Sequence, residues 1–161
     1  MAEAERAGKR SPQLAPLSRE HHEGLLLVWR IYQGMKNDVD PGRIYQYILW
    51  YWQNHIKPHF FLEEKILLPY LPAGHELALR MQKDHEQIRK MILDLSKHSD
   101  KSLFIELANF IDEHIRFEEQ ELYGFLEQIL SKDQLDIIFL RLGEHPSPGS
   151  EWTDDFWIKV R

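Results

Sequence analysis

The sequence predicts an all-α fold: an antiparallel up-down-up-down four-helix bundle, then a short C-terminal helix and a tail. Three observations carry this. Apolar residues recur at helical spacing in four long segments, no strand-period segment of any length occurs, and the connections are short. At 161 residues the chain suits one domain with a sizeable core. The bundle is expected over residues 17–142, after a polar leader, 1–16, whose two prolines read as loose chain. A tail, 143–161, is expected to pack back on it.

The first helix begins in "PLSREHHEGLLLVWRIYQGMK", with Ser18 as N-cap and Leu17, His21, Leu25, Val28 and Tyr32 on one face. "NDVDPGR" is a turn, and Asp40 and Pro41 suit the start of a second helix, "GRIYQYILWYWQNHIKPHFFLEEKILLPYL". Pro58 lies inside that helix and removes the backbone bond to the carbonyl of Asn54, which predicts a local bend. Pro69 and Pro72 are expected to stop the helix. A third helix runs from about Gly74 through "HELALRMQKDHEQIRKMILDLSK", and "HSDKS" is a break. The fourth, "LFIELANFIDEHIRFEEQELYGFLEQILS", sets Leu103, Leu107, Phe110, His114, Phe117 and Leu126 near one face. A short fifth helix, "DQLDIIFLRL", precedes the tail, whose two tryptophans suit packing on the body.

Composition excludes several classes of function. A net charge of −6 argues against non-specific binding to nucleic acid or anionic membranes. No apolar run approaches the roughly 18 residues of a membrane span. The first 16 residues hold no apolar h-region, so no signal peptide is expected. Cysteine is absent, which removes disulfides, Fe–S clusters and thiolate zinc sites and fits a cytoplasmic location. No P-loop, no Ser/His/Asp order and no cysteine nucleophile supports hydrolase or transferase chemistry.

Nine histidines are many for this length, and their spacing matters. "HFFLEEKILLPYL" aligns with "HIRFEEQELYGFL": His59 precedes Glu63 and Glu64 as His114 precedes Glu118 and Glu119. Side chains four apart on a helix stack on one face, about 6 Å apart along the axis, so an imidazole and a carboxylate can share a metal or serve two. The first and third helices each add a histidine preceded by an acid, Glu20-His21 and Asp84-His85. A lone His-x-x-x-Glu is commonly an exposed pair worth about 0.3 kcal/mol. Two copies on alternate helices, with one further histidine on each of the others, point instead to a two-metal site. Carboxylates bridge cations, and imidazoles favour iron, zinc, copper or manganese over calcium or magnesium. An inward-facing carboxylate also needs a cation or hydrogen bonds to offset burial. Glu64 and Glu119 point about 100° away, toward solvent or toward a supporting role.

These blocks resemble the hemerythrin-like HHE cation-binding domains. "PLSREHHEGL", "HFFLEEKILLP", "KDHEQIRKMI" and "HIRFEEQELYGFL" match its four motif blocks in order, over about residues 14 to 130. The resemblance implies a four-helix bundle holding two iron ions with an oxo or hydroxo bridge, with zinc or manganese as alternatives. It implies His21, His59, His85 and His114 as histidine ligands, with Glu63 and Glu118 as bridging carboxylates. His22 is the alternative to His21; the Leu17/Leu25 face favours His21. Hemerythrins proper carry a fifth histidine in a His-x-x-x-His pair on the third helix. Here the positions four away from His85 are Met81 and Arg89, so one iron is a ligand short. Water, a carboxylate or another residue can fill the gap, and His55, one turn before His59, is a candidate. His75, His98 and His145 fall at helix ends or in the tail and read as surface residues.

Such a site binds or reacts with O2 or peroxide in oxygen binding, sensing or iron handling. The resemblance does not decide whether the chain is an enzyme, a carrier or a store. Gly24 would leave space beside the metal, and Trp29, Trp50, Phe60, Phe61, Phe117 and Tyr123 are candidate pocket walls. A metal-linked signalling module and a structural di-metal site are the alternatives; the sequence names no protein partner.

Overall fold

A computed structural model describes residues 9–98, 100–145 and 151–159. The first eight residues of the expected leader, Ser99 in the expected break and residues 146–150 and 160–161 of the tail lie outside that description. Every regular element of the described chain is helical, with no strand among its residues. None of its helices is long and apolar enough to cross a membrane.

The first rod is α1, Ala15–Lys36. The second is continuous from α2, Pro41–Tyr51, through a π-helical turn Trp52–Ile56, α3, Lys57–Leu62, a second π-turn Glu63–Leu67, and a 3₁₀ turn Leu68–Tyr70. The third is α4, Glu76–Leu95. The fourth joins α5, Lys101–Phe117, a π-turn Glu118–Leu122 and α6, Tyr123–Ile129. A short α7, Lys132–Gly143, follows. Asp40, Asp100 and His75 cap their helices through side chains, and Ser131 with Gln134 forms a capping box on α7.

The start of α1 differs from expectation. Pro16 sits in its first turn, and Ser18 lies inside the helix with its hydroxyl donating to Glu119 rather than capping. The buried stripe is Leu17, His21, Gly24, Leu27, Val28, Ile31 and Gly34; Leu25 and Tyr32 face outward. The leader expected to be loose is anchored from Arg10 onward. Its guanidinium donates to Glu127 at 2.7 Å, and Leu14 is fully buried. On α5, Phe104, Ala108, Ile111 and Ile115 share the inner face, with Leu103 and Phe110 at its edge.

The bend expected at Pro58 takes the form of a widened turn. The Lys57 amide bonds the carbonyl of Trp52, five residues back, which gives the proline ring room beside Asn54. The Leu68 amide bonds Glu63 in the same way just before Pro69, which continues into the 3₁₀ turn instead of ending the rod.

Two apolar cores flank a polar layer. One holds Leu27, Ile31, Phe60, Ile88, Ile111 and Ile115; the other holds Leu17, Leu62, Ile66, Met81, Phe117 and Leu122. Along the chain, α1 leads from the second core to the first, the second rod back, α4 forward again and the fourth rod back. In the tail, Phe156 is buried against Tyr47 and Gly34, while Arg30 lies 3.9 Å over the Trp157 ring.

Candidate metal centre

The polar layer between the two cores consists of His21, His59, Glu63, His85, His114 and Glu118, every one of them buried. Helical spacing puts them there. His59 and Glu63 lie four apart on the second rod, His114 and Glu118 four apart on the fourth, and α1 and α4 each present one histidine at the same height. His21 turns inward while His22 is exposed.

The donor atoms form two overlapping groups. His21, His59, Glu63 and Glu118 make one, and Glu63, His85, His114 and Glu118 the other, with all atoms of a group within 4.8 Å of each other. Both carboxylates belong to both groups. Glu118 Oε1 lies 2.8 Å from His21 Nε2 and 3.2 Å from His114 Nε2. Glu63 Oε1 lies 3.2 Å from His59 Nε2 and 3.0 Å from His85 Nε2. Within the cluster two buried atoms, Nε2 of His114 and Oε2 of Glu118, have no hydrogen-bond partner, as do the Nε atoms of Arg10 and Arg30 elsewhere in the chain. Buried polar atoms are rarely left unpaired, and both residues belong to one donor group that a cation would satisfy.

The outer nitrogens are held by a ring of carboxylates. Glu20 accepts from His59 Nδ1 at 2.7 Å, Glu64 from His85 at 2.6 Å, Asp84 from His114 at 2.9 Å and Glu119 from His21 at 2.7 Å. Each rod thus supplies the acid for the next rod's histidine, and the fourth closes on the first. With Nδ1–H donated outward, Nε2 is the nitrogen free to bind a metal. The acids noted in the sequence beside His21 and His85 therefore serve other rods. Glu64 and Glu119 take the supporting role. Arg89 donates to Glu64 at 2.9 Å, four residues after His85.

Charge runs through the cluster. Burial alone would lower the His85 imidazole, but hydrogen bonds to Glu118, Glu63 and Glu64 overcome it and raise His85 to about 10. The charge of Glu118 and the Asp84 bond likewise outweigh burial and raise His114 to about 9. Burial opposes ionisation of Glu118, yet the adjacent His114 and the other imidazoles hold it well below the usual carboxylate range. So the metal-free cluster keeps protons where cations would sit.

His55 stands apart from both groups. Its ring packs on Trp50 and Tyr51, with centroids 5.1 and 4.7 Å away, because the π-turn ahead of Pro58 rotates it off the His59 face. It lines instead a cavity of about 60 Å³ that reaches His21, His59 and His114 and is walled by Leu27, Ile56, Phe60, Ile88, Ile111 and Ile115. Gly24 borders this cavity. A Cβ at position 24 would meet Ile115 Cδ1 at 2.8 Å. Of the other expected walls, Trp29 and Phe61 are exposed, Trp50 packs in the first core and Phe117 in the second.

Tyr123 is a member of the cluster rather than a wall. It is fully buried, stacks on the His21 ring and donates to Glu63 Oε2 at 2.7 Å. A tyrosine five residues after Glu118 gives no helical-spacing signal, since α-helical geometry turns it about 140° away.

The family model described as the hemerythrin HHE cation binding domain matches residues 14–126, well over half of the chain. No curated protein and no solved structure matches it.

Proposed function

The chain belongs to the hemerythrin HHE cation-binding family, and on that premise we propose that it holds two iron ions and binds or reacts with O2 or a peroxide. The observation that carries this reading is the buried cluster: four inward Nε2 atoms of fixed tautomer, two shared carboxylates and two orphaned buried atoms. His21 and His59 would hold one ion and His85 and His114 the other, with Glu63 and Glu118 shared. The alternating passage of the four rods between the two cores supports an up-down-up-down bundle.

Imidazole with carboxylate suits iron, zinc and manganese. A ferrous pair, when bound, supplies the two electrons that O2 or a peroxide requires. The chain's own contribution is access through a largely apolar cavity. The cavity gives a small molecule a place beside His21, His59 and His114, and six aliphatic and aromatic side chains make its lining largely apolar. This cavity favours a ligand-accessible centre over a closed structural one. Glu20 and Glu23 border it together with His55.

An optical titration tests the proposal: load the metal-free protein anaerobically with ferrous iron, admit O2, then degas. A visible charge-transfer band that vanishes on degassing means reversible binding or sensing. A band that persists means oxidation, as in peroxide reduction or iron handling. No band with any ferrous loading would overturn the iron reading in favour of another metal or a structural site.

A further inference from the structure

We propose that the phenol oxygen of Tyr123 is a fifth protein ligand at the position formed by His21, His59, Glu63 and Glu118, making the two metal positions chemically unequal. This rests on the two-iron reading of the cluster.

Distance is the first argument. Donors sharing a metal at about 2.1 Å lie about 3.0 Å apart in an octahedral arrangement and about 3.4 Å apart in a tetrahedral one. The phenol oxygen lies 2.7 Å from Glu63 Oε2 and 3.4 Å from His21 Nε2. The 3.4 Å separation is comparable to those among the donors themselves, such as 3.1 Å between the Nε2 atoms of His21 and His59, and the 2.7 Å one is the hydrogen bond that the phenol gives to Glu63. The phenol is therefore placed as a ligand of the same position.

The backbone is the second. The Tyr123 amide bonds the carbonyl of Glu118, closing a five-residue turn that brings Tyr123 under Glu118 and into the site. The same turn in the second rod brings Leu68 under Glu63, and leucine offers no donor atom. Two rods with the same local geometry thus differ at one position, in a way that adds an oxygen to one metal only.

Its surroundings hold the ring in place. The phenol lies nearly parallel to the His21 ring, at 6° and 5.3 Å between centroids, while Arg10 covers it at 5.3 Å. Arg10 is itself fixed by Glu127 at 2.7 Å. The His85/His114 position then keeps four protein donors. On coordination the O–H bond breaks as the oxygen–metal bond forms; the proton passes to solvent and no electron moves.

The test uses the full chain loaded anaerobically with ferrous iron, counted by metal analysis, then oxidised with ferricyanide so that no O2 chemistry is involved. Resonance Raman spectra under visible excitation should show the ring and C–O vibrations of an iron-bound phenolate. Tyr123→Phe, which removes only the hydroxyl, should retain two irons and lose those vibrations. Two irons in the wild-type chain without phenolate vibrations would overturn the role of Tyr123 alone, whatever the variant does. Vibrations that survive in Tyr123→Phe would overturn it too. A chain that takes up no iron would overturn the two-iron reading, and the role of Tyr123 with it.

Discussion

Each core histidine has a carboxylate behind it and a shared glutamate in front of it, and the two kinds of acid should respond differently to substitution. Glu63→Ala or Glu118→Ala removes a donor common to both groups. Either change should abolish binding of a metal pair, and unchanged metal content in both variants would sink the assignment. Asp84→Asn or Glu64→Gln leaves every inward donor in place but weakens the grip on Nδ1 of His114 or His85. Affinity measured by chelator competition should fall about 10- to 100-fold with stoichiometry retained. At this scale the sequence was largely legible, because His59 with Glu63 and His114 with Glu118 obey α-helical spacing. His55 and Tyr123 were not. His55 lies within one π-turn and Tyr123 directly follows another, where a count of four residues no longer returns to the same face. A reading based on about 100° per residue turns His55 toward His59 and Tyr123 away from Glu118, whereas His55 packs on Trp50 and Tyr51 and Tyr123 donates to Glu63.

The elements show why some helix faces were misread. Leu25 and Tyr32 fit a generic heptad pattern on α1, but Gly24 and Gly34 mark the true inner stripe, since a close approach needs a missing side chain. Gly34 makes a test of this. Replacing a helical glycine by alanine ordinarily stabilises by about 0.5–1 kcal/mol. Here the new Cβ would lie 2.7 Å from Phe156 Cε1 and 3.1 Å from Ile44 Cδ1. Gly34→Ala should therefore destabilise, by about 1–3 kcal/mol in a urea melt. Phe156→Ala should cost about 3–5 kcal/mol by emptying the same contact. If both variants melt like the parent, the tail does not pack as described. Of the three π-turns, two run up to a proline that the sequence displays, and the third, at Glu118, carries no such mark.

For the whole molecule, a polar layer between two apolar cores links metal content to stability. Divalent metal should raise the Tm and a chelator should lower it, because only the folded chain assembles both groups. The metal-free protein should show a further dependence on pH. His85 at about 10 and His114 at about 9 lie above the ordinary value of about 6.5, so the folded chain binds more protons than the unfolded one between those limits. That contribution is complete below about pH 6.5 and is lost as pH rises through 9 to 10. Melts of the metal-free protein should therefore drop in Tm across that window. A flat profile would show that the imidazoles carry no such protons.

The ring of carboxylates runs from each rod to the next and closes only when Glu119 reaches back to His21, 98 residues earlier. During synthesis, three rods can emerge with His21 still lacking its outer partner and with both positions lacking Glu118. Neither group of donors is therefore complete until the fourth rod has cleared the ribosome. Assembly of both groups thus belongs to the chain after its fourth rod has folded in, not to a growing one.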